Sequence, residues 1–539
     1  MRRWNGWGDE AVSVPLGPEA RSFLDRALGP GRPGPDATLE AALASLPPSA
    51  LPEAHPLVTI EPGERLRHAR GQSLPDWIAL RSGRLGWAPD GVAHPADRDG
   101  IRGLFRFAAE RGCRLIPYGG GTSVTGHLTP TPGGPPSVTV ALDRLAGLQR
   151  YDERSGLATF GAGTAGPGIE AALHGEGRTV GHFPQSFELS TVGGWVATQS
   201  AGQQSQRYGR IESLFAGGHL EAPAGPLDLR PFPASAAGPD LRQLVLGSEG
   251  RLGILTDVTV RTSPLPQEER LVAGFLPDFD RGLAAARTLA DERVPVSMIR
   301  LSTPEETATI VGMAGHEVIL GMYGRYLRLR GIGHDRCLLL VAVTGNRALV
   351  RFATAQVGRV VRAHHGLMAD GTFGRGFGRR WAAERFRSAY LRNALWDAGY
   401  AVDTMETATT WDRVPALAEA VAKALRHGLE AEDERVHAFS HCSHVYPSGS
   451  SLYTTCLFRR TADPDETLRR WAVLKAAASR AIVDGGGTIS HQHGVGRDHA
   501  PYLAAEIGPL PMAVLADAAR RFDPDGIMNV GALLGDQAG

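Results

Sequence analysis

The sequence predicts an α+β fold made of two successive parts, and two patterns lead to that prediction. Residues 85–265 mix short β-type runs with glycine clusters, as in "RLIPYGGG" and "LATFGAG". In residues 266–490, helical segments such as "TLRRWAVLKAAASRAIVDGG" alternate with strands such as "RCLLLVAVTG". We therefore expect one domain on each side of residue 265.

The flanking segments differ in composition from the two domains. Residues 1–84 are rich in proline and alanine with short helical patterns, so we expect a helical and extended N-terminal wrap. The stretch "TSPLPQEER" (residues 262–270) is the predicted linker between the domains, and residues 221–240 are predicted to form a loop. Residues 491–539 form a separate C-terminal segment.

Composition narrows the class of protein. The 539 residues carry a formal net charge of zero, which argues against a dedicated nucleic-acid binder because such proteins display a basic patch. The longest apolar run, "CLLLVAV" at residues 337–343, is far too short for a membrane span and predicts a buried strand. Four scattered cysteines without a CxxC pair, and no signal-peptide pattern, favour a reducing, cytoplasmic location.

The stretch "CRLIPYGGGTSVTG" (residues 113–126) ends an apolar run in three consecutive glycines. Glycines allow successive backbone amides to point into one concavity that holds an anion, usually a phosphate. No Lys-Ser/Thr pair follows, so the loop is not of the Walker type, and Val124 breaks the GxGxxG dinucleotide pattern. Taken alone, the loop is equally compatible with a phosphate cradle and with a tight turn.

Two further polar stretches containing glycine lie in the same part of the chain. They are "HFPQSFELSTVGGWVATQSAGQQSQRYG" (residues 182–209) and "LGSEGRLGILTDVTV" (residues 246–260). Glu249, in the second stretch, is placed to accept hydrogen bonds from ribose or adenine donors. Three such loops predict a long ligand with several polar groups, since a single phosphate needs only one loop.

Several motifs carry a resemblance to a known family. "PYGGGTSVTGH", "STVGGWVAT", "GSEGRLGIL", "SHQHGVG" and "FDPDGIMNVGALL" resemble the vanillyl-alcohol-oxidase-type, or PCMH-type, flavoproteins, which bind FAD. "WNGWG" and "YLRNALWDAGY" are similar to alkyldihydroxyacetonephosphate (alkylglycerone-phosphate) synthases and their bacterial FAD-linked relatives. The resemblance implies a PCMH-type FAD-binding domain at residues 85–265 and an FAD-linked oxidase C-terminal cap domain at residues 266–490. The cap would be an antiparallel sheet flanked by helices, and residues 491–539 would return to the flavin.

The resemblance also implies which residues bind FAD, with the pyrophosphate against the first glycine loop. Gln185 stands where the family often has aspartate, so it brings no charge. Tyr118 and Thr122 occupy the loop in which some relatives tether FAD through a histidine, so we predict non-covalent FAD. The implied cofactor-binding residues are Pro117, Tyr118, Gly119, Gly120, Gly121, Thr122, Ser123, Gln185, Ser186, Phe187, Glu188, Leu189, Ser190, Thr191, Thr198, Gln199, Ser200, Ala201, Glu249, Gly250, Arg251, Leu252, Gly253, Ile254 and Leu255.

Arg392 and Tyr453 are two of the predicted catalytic residues. On its own pattern, Arg392 is a surface helix arginine and Tyr453 is a packed strand tyrosine. The resemblance instead places Arg392 near the flavin N5 atom, where a fixed cation with several donors would face an anionic substrate. It assigns Tyr453 as the acid that protonates a leaving carboxylate. Arg300, in "SMIRLS", is a second cation implied for the phosphate end of the substrate.

The sequence "TISHQHGVG" carries His491 and His493 on either side of Gln492. Such histidines could bind metal, act as acid or base, or cap a turn, and two ligands are too few for a closed metal site. We predict no metal; His491 and His493 are expected to be catalytic, and His444 and Gln492 to contact substrate. The synthases have three consecutive histidines here, and Gln492 can hydrogen-bond but cannot take a proton near neutral pH.

The implied function is exchange of the acyl group of an acyl-dihydroxyacetone phosphate for a fatty alcohol, through a flavin N5 adduct, giving an ether lipid precursor. The alternatives are an FAD-linked oxidase or dehydrogenase of a 2-hydroxy acid, with a histidine of "HQH" as base, and an oxidase of a natural-product substrate. Lipid substrates imply peripheral contact with a membrane surface. Residues 321–331 are one candidate for that contact, although we interpret them as a solvated helix. A homodimer is compatible with the resemblance.

Overall fold

The computed structural model describes residues 2–51, 55–131, 133–313, 324–369 and 386–535. A four-stranded and a five-stranded sheet lie in the first half of this described chain, and an eight-stranded sheet lies in the second half. Helices pack against these sheets. The α+β class that the sequence predicts is therefore confirmed. Part of the candidate membrane-contact stretch, residues 321–323, lies outside the described residues.

The four-stranded sheet supplies the edge from which the first glycine loop leaves. Its strand order is β1-β2-β4-β3, and β2, β4 and β3 run parallel. Parallel strands are covered on both faces, which explains why every residue of the β4 sequence "SVTVA" is buried. The strands are β1 (Val58–Thr59), β2 (Gly91–Ala93), β3 (Arg114–Tyr118) and β4 (Ser137–Ala141).

The five-stranded sheet is antiparallel, with the order β5-β6-β10-β8-β9, and a two-stranded ribbon lies beside it. The loop prediction for residues 221–240 was wrong at β9, whose Pro226 is tolerated because β9 is an edge strand. The predicted linker at residues 262–270 contains β11 and the start of the next strand, so only residues 265–267 lie between the two strands. The strands are β5 (Leu148–Asp152), β6 (Leu157–Gly161), β7 (Arg178–Thr179), β8 (Phe215–Ala222), β9 (Gly225–Leu229), β10 (Ile254–Arg261) and β11 (Ser263–Pro264).

The eight-stranded sheet forms the cap domain and is antiparallel throughout, as expected. Its order is β15-β12-β14-β13-β17-β19-β16, with β18 paired to β19. The predicted buried strand at residues 337–343 is confirmed as β14, which is buried along its whole length. The strands are β12 (Glu268–Leu276), β13 (Met298–Ser302), β14 (Cys337–Gly345), β15 (Leu367–Met368), β16 (Tyr400–Thr410), β17 (His437–Cys442), β18 (Val445–Tyr446) and β19 (Gly449–Arg459).

The helices follow standard start signals. Ser73 and Asp76, for example, form a reciprocal capping box at the start of α4. Helices of the described chain include α1 (Pro18–Leu28), α2 (Leu39–Ala44), α3 (Pro62–Arg67), α4 (Leu74–Ser82), α5 (Arg98–Arg111), α6 (Gly166–His174), α7 (Val192–Ala197), α8 (Ser205–Tyr208), α9 (Ile211–Leu214), α10 (Arg242–Val245), α11 (Phe279–Asp291), α12 (Pro304–Met313), α13 (Arg347–Ala363), α14 (Leu391–Asp397), α15 (Val414–His427), α16 (Pro464–Asp484), α17 (Ala500–Ile507) and α18 (Pro509–Phe522), with 3₁₀ turns at Arg387–Tyr390 and Glu430–Glu432. Residues 324–329 are also helical.

The N-terminal segment contacts both domains. The Trp7 amide donates to Oδ1 of Asn393 (3.1 Å), and Nδ2 of Asn393 donates to the Trp7 carbonyl (3.1 Å). Leu24 and Leu28 pack in one apolar cluster with Tyr400 of the cap sheet. At the start of the segment, Nη2 of Arg2 donates to the carbonyl of Gly120 in the first glycine loop (2.6 Å). The segment therefore connects the glycine loop to the cap.

Candidate active site

The loop that follows β3 presents a row of unused backbone donors. Within the described residues, no acceptor is found for the amide N–H groups of residues 119–123. Gly121 has φ +60°, a conformation that glycine adopts without strain. Unpaired amides are rare in a folded protein, and successive ones in a glycine loop form an anion-binding concavity. This arrangement fits a diphosphate group.

The second glycine loop packs directly on the first. A Cβ at Gly120 would overlap with the carbonyl oxygen of Leu189, and a Cβ at Gly119 would overlap with the Thr191 hydroxyl. The third loop closes from another side, where a Cβ at Gly250 would lie 2.9 Å from Pro117. The three loops that the sequence singles out therefore converge on one place.

The carboxylate of Glu249 is engaged by the C-terminal segment. The amides of Val495 and Gly496 donate to its two oxygens, the second at 2.8 Å, and Nε2 of His127 lies 3.2 Å from Oε1. Burial by itself lowers the pKa of His127, but the Glu249 charge outweighs it and the pKa is raised. Glu249 thus fixes residues 495–496 on the FAD-binding domain, and its oxygens are not left open for ribose or adenine as the sequence suggested.

Other residues of the third loop also have structural partners. Nη1 of Arg251 donates to the carbonyl of Met528, and its guanidinium lies 3.9 Å from Asp523. Ile254 and Leu255 begin β10, and their side chains lie in the hydrophobic core. Their backbone, rather than their side chains, is what remains for a cofactor.

The second loop reaches the cap domain through side chains. Nε2 of Gln185 donates to the Ser388 hydroxyl (3.1 Å), and the Tyr390 hydroxyl donates to Glu188 (3.1 Å). The ring of Phe187 stacks on Phe386 with centroids 5.2 Å apart. These contacts fix the turn that precedes α14, so the predicted cofactor loop also positions the helix that carries Arg392.

Arg392 is a half-buried cation, not the surface arginine that its helical pattern alone predicts. Its guanidinium stacks on Trp77 at 4.3 Å from the ring centroid, and Nη1 donates to the carbonyl of Gln72. Burial lowers its pKa to about 10, and Asp403 and Asp76 act in the opposite direction. The side chain therefore stays charged at neutral pH, and in the described part of the chain it forms no ion pair. It remains available to an anion.

Tyr453 lies in the middle of β19, opposite Glu406 on β16 and His441 on β17. Its ring stacks on His441 with centroids 5.1 Å apart and meets His493 edge-on at 5.7 Å. Burial raises the pKa of Tyr453 to about 12. The phenol is therefore protonated across the ordinary pH range and can act as a proton donor.

Glu306 and Arg300 form hydrogen bonds with His441 and hold its ring in place. Oε1 of Glu306 accepts from Nη2 of Arg300 (2.8 Å) and lies 2.8 Å from Nδ1 of His441. Burial opposes ionisation of Glu306, but His441 and Arg300 hold its pKa at about 2. Because Glu306 already neutralises Arg300, this arginine is placed to orient His441, and the prediction that it faces the substrate phosphate is not supported by its contacts.

Glu406 organises the histidine motif. Its carboxylate accepts from Nδ1 of His491 (2.7 Å) and from the amides of His491 (3.1 Å) and Gln492 (3.0 Å), and Nδ1 of His493 lies 4.0 Å away. Burial raises the pKa of Glu406 and lowers that of both histidines, for His491 well below its usual value. Both rings are therefore neutral at pH 7 and can accept a proton.

His444 and Gln492 complete this side of the site. Nδ1 of His444 hydrogen-bonds with Ser205 (2.9 Å), and its ring lies 5.0 Å from that of His491. Oε1 of Gln492 is buried and has no hydrogen-bond partner among the described residues. Beside Gln492 opens a cavity of about 230 Å³, which Thr198 and Gln199 also line. Its apolar wall consists of Leu244, Leu246, Leu252, Leu515, Leu533 and Leu534.

Sequence reasoning missed two carboxylates of the site. Glu406 and Glu306 were not predicted because neither lies in a glycine loop or a histidine motif. Glu406 reaches the motif only through its pairing with Tyr453 in the sheet, and Glu306 lies on α12. Burial of a glutamate between apolar strand positions, as in "YAVDTMETATT", is the one available signal.

Comparison with known proteins defines the class. Residues 89–225 match the family described as FAD binding domain, and residues 265–533 match the family described as FAD linked oxidases, C-terminal domain. The chain belongs to the PCMH-type, FAD-linked oxidase flavoproteins, and FAD is its cofactor, as the motifs and the unpaired amides predict.

Within that class, the protein is an FAD-dependent enzyme similar to alkyldihydroxyacetonephosphate synthases. It is 29% identical to the alkyldihydroxyacetonephosphate synthase of Dictyostelium discoideum over 98% of this chain and 92% of the relative. A solved structure of alkyldihydroxyacetonephosphate synthase matches with a TM-score of 0.80 and 26% identity over 98% of both chains. Substrate-bound p-cresol methylhydroxylase, at 13% identity and TM-score 0.69, covers 93% of this chain and 98% of its own and shares the fold.

Proposed function

We propose that the protein exchanges the acyl group of an acyl-dihydroxyacetone phosphate for a fatty alcohol and so forms an ether lipid precursor. The observation that carries this proposal is the protonated phenol of Tyr453, with a pKa of about 12, between His441 and His493. Bound FAD, held by residues 117–123 and the two loops that pack on them, would supply a nucleophilic nitrogen at the reacting carbon. Tyr118 and Thr122 in that loop favour non-covalent binding.

In the first half of the exchange, the ester C–O bond breaks and the carboxylate leaves with the proton of Tyr453. In the second half, the alcohol oxygen forms the new C–O bond and gives up its proton, which restores the phenol. A neutral His493, edge-on to Tyr453 at 5.7 Å, is placed to carry that proton. The exchange involves no net electron transfer.

Binding of the two substrates calls for one cationic and one apolar region. Arg392 is a charged group without an ion pair among the described residues, which suits the phosphate of the acyl substrate. The apolar cavity beside Gln492 suits part of an alkyl chain, and the buried Oε1 of Gln492 is an acceptor for the hydroxyl of the incoming alcohol.

The proposal is tested by incubating purified holoenzyme with acyl-dihydroxyacetone phosphate and a labelled fatty alcohol. We expect labelled ether and free fatty acid in equal amounts over many turnovers. Without the alcohol, no ether should form and at most one equivalent of fatty acid per enzyme should be released, because the first half of the exchange precedes the reaction of the alcohol. Fatty acid without labelled ether would identify a hydrolase and would contradict the proposal.

The second candidate function is oxidation of a 2-hydroxy acid, and the Glu406–His491 hydrogen bond favours it. A neutral histidine held by a carboxylate can act as a base, and the substrate hydroxyl would take the place of the Tyr446 hydroxyl, which lies 2.6 Å from Nε2 of His491. Anaerobic mixing with D-lactate or glycolate separates the two functions. Bleaching of the flavin absorbance by either acid, together with no ether product, would replace the first function with the second.

We further propose that the enzyme meets its lipid substrates at a membrane surface. The helices of the described chain include none that is both long and apolar enough to cross a bilayer, so the contact would be peripheral. Co-sedimentation with vesicles of neutral lipid, with and without a fatty alcohol in the bilayer, tests this. Equal recovery in the pellet with and without vesicles would count against it.

A further inference from the structure

A cluster of metal-ligating side chains lies away from the catalytic histidines, at the edge of the four-stranded sheet. His94 directly follows β2, Asp143 lies just beyond the end of β4, and Tyr118 ends β3. Because β2, β4 and β3 are parallel, their carboxyl ends meet at one edge. The first glycine loop leaves from this same edge, where ligands of parallel sheets commonly bind.

Helix α3 brings two further groups to this edge. Glu64 lies on α3, and His68 is the residue that caps its C-terminus. Oε2 of Glu64 is 3.5 Å from Nδ1 of His68 and 3.6 Å from Nε2 of His94. One ligand atom from each of the three residues lies within 4.8 Å of the others. A tetrahedral zinc ion with bonds of about 2.0–2.1 Å holds its ligand atoms about 3.3 Å apart, so the observed separations need only small adjustments.

The contacts of the two rings suit a metal site. Nδ1 of His94 hydrogen-bonds with Asp143 (2.8 Å), and the other ring nitrogen, Nε2, faces Glu64. A carboxylate behind a histidine in this way is the usual support of a zinc-binding imidazole. Nδ1 of His68 hydrogen-bonds with the Glu64 carbonyl (2.9 Å), and a metal bound at Nδ1 would take the place of that hydrogen bond.

Two arginines near the cluster, Arg67 and Arg2, would weaken its affinity for a metal cation. Nη1 of Arg67 lies 3.2 Å from Oε1 of Glu64, the oxygen that faces away from the histidines, and half of the Arg67 side chain is exposed. Arg2 also acts on His68. Glu64 and Asp143 supply the compensating negative charge, and Arg67 can turn into solvent when a metal arrives.

We propose that Glu64, His68 and His94 bind a zinc ion, with Asp143 orienting His94 and water in the fourth position. Two imidazoles and one carboxylate are a ligand set that suits zinc. The ion would connect α3 to the sheet edge, since Glu64 and His68 belong to α3 and its cap and His94 follows β2. This edge adjoins the first glycine loop, because the His68 ring packs on Tyr118 with centroids 4.8 Å apart. This proposal departs from the sequence prediction of no metal, in which these residues were not considered because 30 residues separate Glu64 from His94.

The proposal is tested by zinc titration of the purified, chelator-treated holoenzyme in competition with a chromogenic zinc indicator. We expect one tight equivalent of zinc, release of a proton on binding, and a higher thermal midpoint. In His94→Gln and Glu64→Gln, the affinity should fall about tenfold or more, and in Asp143→Asn by about 10–100-fold. Magnesium should not compete.

Matched controls separate this site from the histidines of the active site. His174→Gln alters a Glu–His pair for which the described residues supply no third ligand, and it should bind zinc as tightly as the wild type. His491→Gln should also keep the tight equivalent. Asp143 is largely exposed, so Asp143→Asn remains informative even where a ligand variant loses flavin or fails to fold. No saturable zinc binding, or tight binding that survives both His94→Gln and Glu64→Gln, would overturn the proposal.

Discussion

The cofactor side and the cap side of the active site are built from different parts of the chain. The cofactor side is made of backbone: unused amides in residues 119–123, with glycines that let two further loops approach. The cap side is made of side chains that strand pairing brings together, with Tyr453 between Glu406 and His441. The cofactor side therefore binds through its main chain, and its binding is lost when a side chain fills the space between the loops. The cap side reacts through side-chain groups, and its activity is lost when a proton or a charge is removed.

The largest effect is expected on the cofactor side. Gly120→Ala places a Cβ on the carbonyl of Leu189, so the loops must separate and FAD binding should be lost together with all activity. Flavin absorbance of the purified variant measures this directly. Gly168→Ala is the matched control, because its Cβ would meet only the methyl group of Thr164 at an ordinary 3.6 Å. Normal flavin content in Gly120→Ala would show that the diphosphate lies elsewhere.

Tyr453→Phe should lower turnover by about 10²–10⁴-fold, the usual contribution of a general acid. The flavin content should be unchanged, since the phenol lies on the cap side. Ether formation under saturating substrate is the measurement, with Tyr151→Phe as the control from a strand of the other domain. Turnover within twofold of the wild type would show that Tyr453 is not the acid of the reaction.

Glu406→Gln should have an intermediate effect. A hydrogen bond to a charged group contributes about 1.5–3 kcal/mol, which corresponds to about a 10–100-fold loss of turnover. Removing the carboxylate charge should also lower the pKa of His493 further, so the acidic limb of the pH–rate profile should move to lower pH. Glu434→Gln, which breaks a buried ion pair with Arg459 in the same sheet, should reduce stability and leave this limb in place.

The smallest effect concerns Asp498, which follows the histidine motif. Its Oδ2 is buried without a partner among the described residues, and burial raises its pKa to about 7 although Lys475 opposes this. The unfolded chain ionises this group near pH 3.9, so it progressively destabilises the folded protein as pH rises from about 4 to 7. The destabilisation reaches its full size above pH 7, which is about the pKa of Asp498 in the folded protein.

Asp498→Asn removes this penalty. Its thermal midpoint should exceed that of the wild type by more at pH 8 than at pH 5. Asp152→Asn, a substitution at the end of β5, should show no such increase with pH. A difference between Asp498→Asn and the wild type that stays constant with pH would mean that Asp498 is ionised in the folded protein throughout this range.

The two sides also differ in how far the sequence predicts them. The first glycine loop was singled out because glycine clusters have a local meaning, and β14 was predicted because it is a continuous apolar run. The FAD-binding role of residues 117–123 and the antiparallel cap sheet followed only from the family resemblance. The contacts of Glu406 depend on the register between two strands of eleven residues, β16 and β19. A slip of one residue would turn Glu406 to the other face, and nothing local in the sequence sets that register. The neutralisation of Arg300 by Glu306 likewise depends on the tertiary structure, because the two residues lie on different elements, β13 and α12.

The reciprocal hydrogen bonds between Trp7 and Asn393 have a consequence for how the protein is made. As the nascent chain leaves the ribosome, the first ten residues emerge long before their partner on α14 has been synthesised. Until then Trp7 is exposed, and Arg2 has no neighbouring segment to hold it against Gly120. The glycine loop can fold with its own domain, but the N-terminal segment can cover it only after the second domain has been translated. A stalled or truncated chain would therefore display an indole that the finished enzyme conceals.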